Sequence, residues 1–187
     1  RKVSITNATQ LSFGSFHNCA SLEEINLNDG IASIAGYAFN GASSLQALTV
    51  PDSVESIEEF ALAGCSSIES ITIPFVGASR NVTNDYSAVL GFIFGRTNEE
   101  GAQQYFEFTD GSLYSYVYAI PESLKRVTVT DDPSIALAAF SNCYFLKEIV
   151  LEEATAELEN FVLYGISLLD RFEIQNRNCS ISDDYNT

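Results

Sequence analysis

Apolar positions recur along the chain in a fixed frame. Phe16 is followed by Cys19, Leu22, Ile25 and Leu27, and the same spacing returns as Phe39, Ala42, Leu45, Leu48 and Val50. It returns again as Leu62, Cys65, Ile68, Ile71 and Ile73, as Phe140, Cys143, Leu146, Ile149 and Leu151, and as Leu163, Ile166, Leu169, Phe172 and Ile174. Adjacent copies lie 23 residues apart, as Phe16 and Phe39 do. Columns of apolar residues at one interval mark a stacked repeat, in which no unit can bury its apolar face alone. Within each unit, segments such as Leu48-Thr-Val50 and Ile71-Thr-Ile73 alternate with period two and are rich in β-branched residues, so they predict short strands. Pro51 and Pro74 end two of these strands by removing a backbone donor. Ala38-Phe39 is soon interrupted by Asn40-Gly41, leaving room for one helical or 3-10 turn. The expected fold is therefore a repeat solenoid with one short strand per unit and short helical or 3-10 turns opposite. Parallel rungs with a crossover after each strand make the coil right-handed. Seven strands, from Val3 to Ile174, are expected in one parallel sheet.

The unit Ile-x-x-x-Ala-Phe-x-x-Cys-x-x-Leu-x-x-Ile-x-Ile-Pro resembles the BspA-type leucine-rich repeat, a family of bacterial and protozoan surface proteins. Ile34 to Pro51, with Ala42 in the Cys slot, and Ile57 to Pro74, with Leu62 in the Phe slot, carry the resemblance most fully. It implies a leucine-rich-repeat coil in a secreted or surface-attached protein that binds other proteins or host surfaces. The family has no shared catalytic motif to carry over.

The frame is broken once, between Ile71 and Val127. Leu90-Gly-Phe-Ile-Phe94 resembles the Ile-x-x-x-Ala-Phe element, which predicts one repeat there with an insertion on either side of it. Residues 1–187 are thus expected to form a single solenoid with an insertion at about 75–119. Some family members carry a comparable Tyr-rich interruption ending in a Pro-x-Ser-Leu-Lys motif, here Pro121 to Lys125. Alternating segments flank Asp110-Gly111, a strong hairpin signal, so a hairpin is expected over 105–118. A two-residue turn pairs Tyr105 with Tyr116 and Phe106 with Ser115, which sends Phe106, Phe108, Leu113 and Val117 to one face. Tyr105, Glu107, Tyr114, Tyr116 and Tyr118 fall on the other, outward face and are the candidate ligand-binding residues. The plainer role for the same rings is cross-strand pairing that holds the ribbon together.

Composition narrows the function more than it names it. A hydrophobic share of 46% is enough for a real core. Nine basic against 25 acidic residues, a net charge of −16, argue against nucleic acid as a partner. No stretch approaches the roughly 18 apolar residues of a membrane span. The chain contains no Met and begins with Arg, as a processed or excised piece would; Val3 begins a strand almost at residue 1 and Ile181 sits in the Ile34 column of an unfinished coil, so both ends are expected to be cut edges of a longer solenoid with further repeats or domains.

Candidate chemistry is sparse. Cys19, Cys65 and Cys143 share a slot with Ala42 and Ile166, so they are expected to be reduced and shielded in the core, too many rungs apart to bridge. The single histidine, His17, sits in a variable, solvent-facing slot, which leaves no metal-ligand set and no acid–base constellation. Asp131-Asp132 and Asp183-Asp184 offer oxygen ligands but lack calcium-loop spacing. Glu148, Glu152, Glu153, Glu157 and Glu159 are expected to form a solvated edge, with attraction of a basic partner as the functional alternative. No cofactor is expected. The favoured function is a non-enzymatic protein-binding or adhesion module, extracellular by the family resemblance, with a protein or host-surface ligand. The alternatives are a spacer solenoid within a larger surface protein and the non-catalytic part of a secreted enzyme.

Overall fold

The five apolar columns close on one another because each coil places its strand, its turn and its return segment at the same three corners. The structure is a computed structural model that describes residues 1–80, 82, 85–97, 103–107 and 115–181, with the main chain alone for 103, 105–107 and 115. Seven coils present strands at Lys2–Ser4, Glu24–Asn26, Ala47–Thr49, Ser70–Ile73, Arg126–Val129, Glu148–Leu151 and Arg171–Ile174. All neighbouring pairs among them are parallel, with Val3 beside Ile25, Leu48 beside Ile71, Ile71 beside Val127, and Ile149 beside Phe172. The inward residue of each interior strand is buried: Leu48, Ile71, Val127 and Ile149 are all at most 2% exposed.

Two features depart from the expected single sheet. The hydrogen-bonded ladder stops between coils 2 and 3, giving a sheet of two strands and a sheet of five. Coil 2 is tied to coil 1 instead: the Asn28 side chain bonds both the amide and the carbonyl of Ala8, at 3.2 and 3.0 Å. Six of the seven coils also carry a second, two-residue strand along the return segment. Gln10–Leu11, Ser33–Ile34 and Ser56–Ile57 form one parallel ladder, and Ser134–Ile135, Glu157–Leu158 and Ser180–Ile181 form another. Among the described residues coil 4 has no such strand, its return segment being the start of the insertion.

The turn corner is built from turns; 3-10 helix occurs among the described residues only at Tyr86–Ala88 and Leu90–Ile93. Main-chain bonds stack the turns, as in Phe39 N–H to Ala61 C=O and Gly41 N–H to Ala63 C=O, both 2.8 Å. Asn18, Gly41, Gly64, Asn142 and Gly165 share one left-handed slot of this corner, with φ between 56° and 76°. Gly and Asn are the residues that enter that region at least cost.

Cys65 and Cys143 are buried and free as expected, and burial pushes the Cys65 thiol up to about 12 and that of Cys143 upward. Cys19 corrects the expectation. It is free but exposed. Glu148 is likewise more than a solvated edge residue: it accepts from Arg126 and Arg171, and Arg171 donates in turn to Glu173, making a row of alternating charge across coils 5, 6 and 7. Glu153 and Glu157 are exposed and Glu152 and Glu159 half-buried.

Candidate functional site

The strands of coils 4 and 5 pair directly, so the segment between Ile73 and Arg126 adds no strand between them to the front sheet. The first part of that segment is clamped to the core. Phe75 and Val76 are buried, and Ile57 N–H donates to Ala78 C=O at 2.8 Å, replacing the missing return strand. Arg80 then fastens the segment to its neighbours. Its Nη1 donates to Val54 C=O at 2.8 Å, its Nη2 to Asp52 C=O and Asp131 Oδ2, each at 2.7 Å, and its guanidinium lies over the Phe75 ring. Asp132 is 3% exposed and accepts from Val76 N–H at 3.0 Å through Oδ2, while Oδ1 has no partner among the described residues. Burial pushes its carboxyl up to about 6 against the opposing pull of the Val76 amide.

Leu90–Phe94 takes the turn corner, as the sequence predicts. Leu62 N–H donates to Ile93 C=O and Leu90 N–H to Ala139 C=O, both 2.9 Å, so this element joins coil 3 to the next turn in the stack. The hairpin completes the joint. Gln104 is fully buried: its Oε1 accepts from Gly91 N–H at 2.7 Å and its Nε2 donates to Ala139 C=O at 2.9 Å and Ala138 C=O at 3.2 Å. Tyr118 is equally buried, and its hydroxyl donates to Tyr86 C=O at 2.8 Å. A Cβ on Gly91 would lie 2.3 Å from the Tyr118 Cβ, so only glycine admits this approach. Burial raises the Tyr118 hydroxyl well above the usual tyrosine range.

These contacts correct the predicted hairpin. Its strands are Gln103–Glu107 and Ser115–Ala119, and they pair Tyr105 with Val117 and Phe106 with Tyr116, one residue out of the two-residue-turn register. A slip of one residue changes which side chains share a face. Gln104 now sits beside Tyr118, and both turn into the core. Tyr118 is therefore not part of an outward tyrosine face. Tyr116 is half-buried. The side chains of Tyr105 and Glu107, together with Tyr114, Phe108, Leu113, Asp110 and Gly111, lie outside the described residues, as do Asp183 and Asp184.

What the structure brings together at the root of the hairpin is a different group. Tyr116 stacks on Tyr86 with ring centroids 4.6 Å apart, and the Arg96 guanidinium lies 5.3 Å from the Tyr116 ring centre. Arg96 also makes a two-pronged ion pair with Glu59 of coil 3, at 2.6 and 3.1 Å, and that bond raises its already high pKa further. Tyr86, Arg96 and Glu59 were not among the sequence candidates. The one available signal was Arg96, a scarce basic residue directly after the Leu90–Phe94 element. Stacked rings beside a guanidinium offer apolar area, hydroxyls and a cation to a partner, with little side-chain entropy to lose. They offer no nucleophile and no base. Among the described residues no three His, Cys, Asp or Glu side chains converge as a metal site would require, and His17 is exposed.

Parallel strands recurring about every 23 residues around a stacked apolar core define a leucine-rich-repeat solenoid. Six copies of the BspA type leucine rich repeat region match residues 2–86 and 111–185. The chain belongs to that family. Among solved structures, a leucine rich cell surface protein from Faecalibacterium prausnitzii is similar at 19% identity and a TM-score of 0.40, over 93% of this chain and 41% of its own length. The leucine rich repeat protein of T. pallidum shares 16% identity at a TM-score of 0.41, over 94% of this chain and 69% of its own. A leucine-rich repeat protein from Bacteroides ovatus shares 17% at 0.30, over 93% of this chain and 60% of its own. The chain thus spans less than half of the first of these proteins. No curated protein matches.

Proposed function

We propose that the chain is a non-enzymatic protein-binding module of a secreted or cell-surface protein, and that binding centres on the flank where the hairpin joins the coils. The carrying observation is the Tyr116–Tyr86 stack with Arg96 against it. Tyrosine and arginine dominate the energy of protein interfaces, whereas Ser4, Asn26, Thr49 and Thr72 on the sheet face supply no such anchor. Family membership supports the class, since repeat solenoids present extended rigid surfaces to other proteins. We include Tyr105, Glu107 and Tyr114 in the proposed surface; Tyr118, which is buried, is not part of it.

The test follows from the contacts. Deleting 97–119 would strip Gly91, Ala138 and Ala139 of Gln104 and empty the space of Tyr118, so it would report on folding. The informative variant is Arg96→Ala with Tyr116→Ala, with Tyr105→Ala and Tyr114→Ala as a second set. Each is screened beside the parent chain against an array of purified extracellular-matrix and serum proteins, with the melting temperature measured in parallel. The expected result is a ligand captured by the parent and lost, by about tenfold or more in affinity, in a variant that still melts cooperatively. Full binding by both variants places the site elsewhere, and capture of nothing by the parent favours a spacer.

A further inference from the structure

The turn corner holds a second left-handed slot, four residues ahead of the one filled by asparagine and glycine. Gly14, Tyr37, Phe60, Ala138 and Phe161 occupy it, with φ between 56° and 66°. Gly14 and Ala138 show that the corner turns without a ring, and a bulky side chain is the costliest choice in that region of the backbone. Strain of this kind persists where the residue serves something besides the local turn. Burial does not repay it at Phe161, which is 57% exposed.

Across coils 1 to 3 the rings form a row. Phe13, 72% exposed, lies against Tyr37 with ring centroids 5.3 Å apart, and Tyr37 stacks on Phe60 at 5.2 Å with the planes 7° apart. The row ends on Gly95, where a Cβ would come within 2.1 Å of the Phe60 ring, and Arg96 follows. Tyr37 has a ring on either side, whereas Phe13, at the end of the row, presents most of its surface to water. Carboxylates border these rings. Glu58 of coil 3 is exposed and reaches back beside Tyr37, where its Oε2 accepts from Gly36 N–H at 2.7 Å. Glu159 stands in the same position ahead of Phe161.

We propose that this row binds an arginine-bearing segment of a protein partner. The chain sets the pattern within itself: Arg80 lies over Phe75, Arg96 over Tyr116 and Lys125 over Phe145, at 5.0 to 5.3 Å. Among the described residues no cation lies over Phe13, Tyr37 or Phe60. Nine basic residues against 25 acidic ones leave carboxylates in excess of the cations that could meet them. A guanidinium supplies both halves of the missing contact, its face to the exposed ring and its N–H groups to a carboxylate such as Glu58. A second copy of the chain would bring its own charge of −16 and be repelled. The row adjoins the hairpin root, and assigning it an arginine partner rests on the chain being a protein-binding module.

The experiment titrates the intact, isotope-labelled chain at physiological salt with the peptides Arg-Gly-Arg-Gly-Arg and Lys-Gly-Lys-Gly-Lys, reading the ring signals of Phe13 and Tyr37. The arginine peptide should shift both signals and bind about two- to fivefold more tightly than the lysine peptide, the scale of an exposed cation–ring contact. Phe13→Leu keeps the apolar bulk and removes the ring, so it should erase that preference while the chain melts as the parent does. Glu58→Gln, which can still accept from Gly36, should weaken both peptides about twofold. Equal binding of the two peptides, unmoved Phe13 signals, or a preference that survives Phe13→Leu each overturns the proposal and leaves only attraction by net charge. Capture of a matrix protein on the array with no arginine preference at Phe13 removes this site alone; the reverse result removes the site at the hairpin root alone.

Discussion

The step from coil 2 to coil 3 and the step from coil 4 to coil 5 solve one problem with different material. At the turn corner of the first, main-chain groups meet directly, Phe39 N–H to Ala61 C=O and Gly41 N–H to Ala63 C=O. At the second, the Leu90–Phe94 turn meets the next one through Leu90 N–H to Ala139 C=O, and a side chain adds a further bridge. The carboxamide of Gln104 accepts from Gly91 and donates to Ala138 and Ala139, offering the donors and acceptor a peptide group would offer. Regular coils thus draw their order from repetition. The elaborated coil draws it from two residues of the hairpin, Gln104 and Tyr118. The hairpin is a piece of the core from which any outward surface must project.

The strongest test of that equivalence compares the two largest buried rings of the two regions. Phe39 and Tyr118 are both fully buried. Phe39→Ala and Tyr118→Ala should each lose about 3–5 kcal/mol in urea denaturation, the usual cost of removing a core aromatic. A loss below about 1 kcal/mol for Tyr118→Ala, with Phe39→Ala fully costly, would make the hairpin an appendage.

Acid should act on the junction and leave the regular coils alone. Asp132, which holds Val76, has its folded-state carboxyl raised to about 6 by burial, against about 3.9 for the unfolded chain. The folded state therefore binds the proton more tightly, and stability falls as pH rises from about 4 to about 6, remaining low above that. The difference is at most about 3 kcal/mol, from two pKa units at 1.36 kcal/mol each. Asp132→Asn should flatten the pH profile of unfolding across that window. An unchanged slope would show that the unpartnered Oδ1 is solvated in the folded chain.

Gln104→Ala comes next. It leaves the Gly91 amide without its acceptor and two carbonyls without their donor inside the core, a loss of about 1–3 kcal/mol. Hydrogen exchange should then rise at Gly91 while the stacked turn at Phe39 keeps its protection. Equal loosening of both would mean that the two regions unfold as one unit.

Repetition also explains which parts could be read from sequence. The columns through Leu48, Ile71, Val127 and Ile149 recur, so each copy corroborates the others, and the strands lie where the frame puts them. Placement of Leu90–Phe94 at the turn corner followed from one more match to the same frame. The hairpin had no second copy. Asp110-Gly111 argued for a two-residue turn, but the register is set by the need of Gln104 and Tyr118 to face inward together, a tertiary demand that local turn chemistry does not express. The pairing of Arg96 with Glu59 and Tyr116, and the bonds of Asn28 to Ala8, are likewise contacts between segments far apart in the chain. Cys19 occupies a core column in sequence yet lies exposed, a difference that the repeat frame alone does not express.

The smallest effect belongs to the front sheet, where the last three coils differ in charge pattern from the middle two. Coils 5, 6 and 7 carry the row Arg126–Glu148–Arg171–Glu173, whereas Ala47 and Ser70 leave the same face of coils 3 and 4 uncharged. Glu148 accepts from two arginines, which holds its carboxyl below the usual range. All of these groups reach water, and exposed ion pairs lose in side-chain entropy and salt screening most of what attraction gives. Glu148→Gln should therefore lower the melting temperature only slightly in dilute buffer and not measurably in concentrated salt. Its sign carries the information, because Gln removes the attraction to both arginines and leaves them facing each other across coil 6. A salt-independent loss as large as that of Gln104→Ala would show that the charge row, and not the apolar columns beneath it, sets the order of the last three coils.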